Sequence, residues 1–144
     1  MCLVMKPENF QPGLTGKRRE RLDAPAIRYP NKWGETFAER GSQFLDWRDI
    51  AMQVIQRSGG SFRLVAIFDR IFDYVDGECL ATDERIARAA GRCTVKTVSR
   101  ELKALRQMGL IKAEPTWIDK GGKKVKGRRI TLMIPVDLNG IHIR

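Results

Sequence analysis

Histidine, cysteine and long apolar runs are scarce in this 144-residue chain, and each shortage removes a class of function. The one histidine, His142, stands in the last residues, far from Cys2, Cys79 and Cys93. No close Cys or His pair exists to seed a zinc site, and an odd number of thiols argues against a disulfide framework. Cys79 and Cys93 read as small buried hydrophobes. No carboxylate pair recurs in a glycine-rich or metal-like setting, so neither an enzyme nor a metal or cofactor site is expected. No apolar stretch approaches the roughly 20 residues of a membrane span. The first residues carry one lysine, Lys6, followed by Pro7, so no signal peptide is evident and cytoplasmic residence is expected. Gly13 and Gly16-Lys17 do not make a phosphate loop, because Arg18 stands where that loop needs a hydroxyl.

What the chain has in excess is positive charge, in one place. The formal net charge is +10, and residues 92–129 hold 12 Lys/Arg against 3 Asp/Glu, so nine of the ten charges fall there. Clustered cations attract a polyanion by releasing its counterions and steer it to one face.

Residues 1–41 read as an extended or partly disordered basic arm, rich in proline and glycine towards the start. Its run Lys17, Arg18, Arg19 and Arg21 is a candidate for contact with phosphates or a minor groove. Residues 42–60 read as an extra helix with a Gly-rich link, since Phe44, Trp47, Ile50, Ala51, Val54 and Ile55 recur at helical spacing. The stripe Phe44, Trp47, Ile50 and Val54 is a candidate dimer contact, or else packs on the next helix. That next helix is expected from an N-cap at Ser61 to about Val75, with Glu78–Ala81 as a short strand after it.

Thr82 caps a short helix from Asp83 to Ala90, Gly91-Arg92-Cys93 turns, and Thr94 caps a helix to Met108. On this last helix Val98, Leu102 and Leu105 share an inward face. The opposite face carries Lys96, Arg100, Lys103 and Gln107, long donors without an acid among them. Gly109-Leu110-Ile111 then starts a strand holding Ala113 and Trp117. Asp119 to Arg129 reads as a basic loop, and Ile130, Leu132 and Ile134 alternate as a half-buried strand.

Two helices with a tight turn, Thr97-Val98-Ser99-Arg100 on the second, and a lysine-rich hairpin after Gly109-Leu110-Ile111 resemble the winged helix-turn-helix family of bacterial, phage and plasmid regulators and replication factors. The resemblance covers roughly residues 61–135, with 136–144 as a C-terminal tail. It implies a mainly α fold with a small β-hairpin wing (α+β), and double-stranded DNA as partner. A recognition helix in the major groove would use Arg92, Thr94, Lys96, Thr97, Arg100, Lys103 and Gln107. A wing on the backbone would use Lys120, Lys123, Lys124, Lys126, Arg128 and Arg129. The function implied is a transcriptional regulator, repression favoured, associated with the nucleoid and dimeric, with no small-molecule ligand expected. Two alternatives remain: a replication or maintenance factor binding origin DNA, and a protein-interaction module.

Overall fold

Thr36 begins the first long element with two reciprocal bonds. Its hydroxyl accepts from the Glu39 amide at 3.1 Å, and the Glu39 carboxylate accepts from the Thr36 amide at 3.0 Å. These bonds hold the exposed Glu39 carboxyl below its ordinary range. Helix α1 runs from Phe37 to Ser58 and stops where Gly59 adopts φ +76°, a left-handed turn that favours glycine. The computed structural model describes residues 23–143; Lys17, Arg18, Arg19 and Arg21 of the expected arm lie outside them.

After α1 come α2 (Arg63–Ile71), the two-residue β2 (Phe72–Asp73) and β3 (Glu78–Ala81). Helix α3 (Asp83–Ala89) and helix α4 (Val95–Gln107) follow, capped by Thr82 and Thr94, whose hydroxyls accept from the Arg85 and Thr97 amides at 3.1 Å each. Strands β4 (Ile111–Lys120) and β5 (Lys123–Pro135) close the chain, and β1 (Ala26–Arg28) precedes α1. Every strand pairing is antiparallel. β5 organises the sheet: it pairs with β4 over Lys123–Leu132, with β3 over Arg128–Ile130 and with β1 over Met133–Pro135.

The core lies between this sheet and the helices. Phe44, Trp47, Val54 and Ile55 of α1, Leu64, Val65 and Phe68 of α2, Ile86, Val98, Leu102 and Leu105 meet Leu110, Ile130 and Leu132 there. At one end Trp33, Phe44, Phe72 and Tyr74 form an aromatic cluster with ring centroids 5.1–6.0 Å apart. Arg40 clamps the adjoining turn by donating to the carbonyls of Tyr74 and Val75.

This is not the mainly α winged helix that the sequence pattern suggested. Among the described residues helix accounts for 42% and strand for 26%, arranged as four helices and a curled antiparallel sheet of five strands. The physical reason is β5. Its 13 residues pair with β1 and β3 as well as with β4, so the hairpin belongs to a sheet rather than forming a small appendage.

Three further expectations change. Residues 26–41 are not an arm, since Ala26–Arg28 pairs with β5 and α1 begins at Phe37. Phe44, Trp47, Ile50 and Val54 are at most 3% exposed within one chain, so this stripe is core and is not available as a dimer contact. Helix α2 ends at Ile71 rather than Val75, because Phe72 turns to extended backbone to pair with Cys79; its N-cap is Phe62, not Ser61. The tail after Pro135 is tied to α1: Gln53 exchanges two hydrogen bonds with the His142 backbone, and Arg57 donates to the Asn139 carbonyl at 2.8 Å. Cys79 is buried as expected, and burial pushes its thiol up to about 12, leaving it protonated and unreactive; Cys93 is only half-buried.

Candidate nucleic-acid interface

Two elements carry the positive charge, and α3 links them. Helix α4 buries Val98, Leu102 and Leu105 against the core, which leaves Lys96, Arg100 and Lys103 exposed on its other side. Its first turn is fixed by Thr94, which also donates its hydroxyl to the Thr97 hydroxyl at 3.0 Å. Both threonines are therefore engaged in the cap, at the helix end where backbone amides point outward. The turn before it puts two residues in left-handed backbone, Gly91 at φ +83° and Arg92 at φ +61°. Arg92 is the only non-glycine residue at positive φ among the described residues, a conformation that costs roughly 1–2 kcal/mol. Its exposed side chain stands beside the start of α4.

The other end of α4 is less open. The Ala24 amide donates to the Gln107 carbonyl at 2.9 Å, and Arg106 bonds Asp23 at 3.1 Å. The chain entering β1 thus crosses this end, and Gln107 is half-buried. Lys96 and Arg100, nearer the start, are the better placed of the expected recognition residues.

The segment Asp119–Arg129 is not a loop. Gly121 and Gly122, at φ +60° and +82°, make a two-residue turn whose twist suits a regular hairpin, and the lysines on either side are in strand. Lys120 faces Lys123, Asp119 faces Lys124 and Trp117 faces Lys126 across the ladder. At about 3.4 Å per residue, β4 is roughly 30 Å long, so its far half reaches beyond the core.

The hairpin cations divide into two groups. Arg128 forks onto Asp83 at 2.7 and 3.0 Å, and Arg129 bonds Glu78 at 3.3 Å. The hydrogen bonds to Asp83 raise the Arg128 pKa further, so the guanidinium stays charged at any working pH. These two residues hold the hairpin base to the first turn of α3 and to β3, rather than presenting free charge. By contrast, Lys120, Lys123, Lys124 and Lys126 form no ion pair among the described residues, and neither do Arg92, Lys96 and Arg100.

Gly127 lets the hairpin sit this close to β3. A Cβ there would come within 3.0 Å of the Ala81 carbonyl oxygen and 2.2 Å of Ile118 Cδ1. A shallow cleft of about 380 Å³ remains between α3 and the hairpin, lined by Asp83, Glu84, Pro115, Lys126 and Gly127.

Replacing Asp83 with asparagine should lower the melting midpoint by several degrees. The change leaves a half-buried guanidinium without its counter-charge, at a cost of roughly 1–3 kcal/mol. The penalty stays below that of a fully buried pair because both side chains keep about a quarter of their exposure. A melting curve that superimposes on that of the unaltered protein would remove the fork from this account.

Sequence reasoning missed Trp117 as a surface residue. It placed the residue in the strand without seeing that the strand outruns the core; Trp117 is 66% exposed. The signal was there in the lysines across the turn, which show that this part of the hairpin has no apolar layer to cover it.

Comparison with protein-family models, with curated proteins and with solved structures gives no match. No helix among the described residues is long and apolar enough to cross a membrane.

Proposed function

We propose that the chain is a sequence-selective duplex-DNA-binding protein and acts as a transcriptional regulator. The observation that carries this reading is the set of cations at the start of α4 and along the hairpin tip that form no ion pair among the described residues. A surface selected only for solubility gains by pairing its charges; this one keeps Lys96, Arg100, Lys120, Lys123, Lys124 and Lys126 open. Each can displace a counterion from a phosphate. The start of α4 adds a helix end with outward amides and the donors Lys96 and Arg100, groups able to bond guanine edges in a major groove. A protein-binding role fits less well, because the centre of such a surface is depleted in lysine.

Affinity for a duplex should fall steeply with salt. With six phosphates neutralised, the log–log slope against salt would be about −5. Fluorescence anisotropy with a labelled duplex at several salt concentrations measures it, and a slope near zero would overturn the reading. A genome-wide map of bound sites separates control of promoters from binding at an origin.

A further inference from the structure

Trp117, set among the hairpin lysines, is a large ring that the duplex reading leaves unused. Strand alternation puts Trp117 on one face of the hairpin with Lys126 directly across and Asp119–Lys124 as the next pair outward. Trp117 is 66% exposed. Trp33 and Trp47 each stack on an aromatic neighbour, while Trp117 joins no aromatic pair among the described residues. Folding therefore gains little from this large ring, whose burial elsewhere contributes strongly to stability.

The charges beside it are also unsatisfied. Lys126 and Lys124 form no ion pair among the described residues. Lys120 stands directly across from Lys123 at the turn, on the other face of the hairpin, a like-charge pair that destabilises a ladder. A flat π surface bordered by lysines matches a ligand made of flat bases joined by phosphates. In a closed duplex the base faces are already covered by their neighbours, so the ring has nothing to stack on. Unpaired nucleotides leave those faces open.

We propose that the β4–β5 hairpin binds unpaired nucleotides of DNA, with Trp117 stacked on a base and Lys126 and Lys124 on the flanking phosphates. The inference rests on the DNA-binding reading and adds to it a preference for locally opened DNA. Helix α4 and the hairpin lysines serve on either DNA, and Trp117 adds a contact that only opened bases can make.

The test compares a perfect duplex with the same duplex carrying a short central bubble of mismatched bases, by anisotropy at one salt concentration. The unaltered protein should bind the bubble roughly tenfold more tightly, the scale of one base–aromatic stack. Trp117→Ala should lose that preference while keeping its affinity for the perfect duplex, and Trp117→Phe should retain most of it. Indole fluorescence should be quenched on binding the bubble, and the quenched component should be missing in Trp117→Phe. Melting midpoints of both variants should stay close to that of the unaltered protein, because the ring is not part of the core. Equal affinity of the unaltered protein for both DNAs, or a preference that survives in Trp117→Ala, overturns the inference and leaves duplex binding standing. Failure to bind either DNA overturns the functional reading and this inference with it.

Discussion

Trp47→Ala should destabilise the protein by about 3–5 kcal/mol, the usual range for removing a buried aromatic. The side chain is completely buried and packs between Phe44 and Phe68, with ring centroids 5.7 and 6.1 Å away. Its indole N–H also joins helix to sheet. It donates to the Met133 carbonyl at 2.7 Å and to the Leu110 carbonyl at 3.2 Å, one on β5 and the other just before β4. Truncation therefore opens a cavity and withdraws a donor from carbonyls inside the core, and the two losses reinforce each other. Against the 5–15 kcal/mol total of a typical domain, the variant should melt more than ten degrees lower or fail to accumulate folded. Trp47→Phe separates the contributions, since it keeps most of the volume and loses only the donor; it should cost roughly 1–3 kcal/mol. Thermal and urea denaturation measure both. A Trp47→Ala protein that melts within a degree or two of the original would remove the tryptophan as the link between α1 and the sheet.

That link also explains which parts of the fold could be read from the sequence. Local signals were sufficient for α3 and α4. Thr82 and Thr94 cap as expected, Val98, Leu102 and Leu105 turn inward, and Gly109 at φ +83° ends the helix. Helix α1 was legible as a helix but its role was not. Its apolar stripe has partners more than sixty residues away, at Leu110 and Met133, and nothing local distinguishes such a stripe from a surface that binds a second copy. Strand β1 was hidden for the same reason. Three residues among prolines show no alternation of their own, and they become strand only because β5 supplies the ladder. The end of α2 was a competition between two patterns. Ile71, Phe72 and Val75 fit a helical face, but Phe72 gains more by pairing with Cys79 and joining the aromatic cluster.

The hairpin shows how composition can mask period. Lys120-Gly121-Gly122-Lys123 contains the two-glycine signal for a tight turn. The surrounding lysines hid the alternation, so the segment read as a loop. Its charges were visible as a block, but their division was not. Only the fold shows that Arg128 and Arg129 are held by Asp83 and Glu78, while the lysines further out remain open.

This division leads to the expectation that separates the two halves of the interface. Replacing Lys120, Lys123, Lys124 and Lys126 together by alanine should weaken binding to every duplex about equally. The salt slope should become shallower by roughly 3 to 4, because each phosphate contact contributes about 0.9. None of the four is buried or ion-paired among the described residues, so the melting midpoint should hold or rise as the Lys120–Lys123 repulsion disappears. Arg100→Ala should behave differently. It removes one long donor from α4, shifting the slope by at most about one while reducing discrimination between preferred and unrelated sites by roughly 1–3 kcal/mol. Competition binding with a preferred and a scrambled duplex, repeated at two salt concentrations, reads both quantities for each variant. If the lysine variant changed which sequence is preferred while Arg100→Ala left the preference intact, the hairpin would be the element that reads bases and α4 the one that grips the backbone.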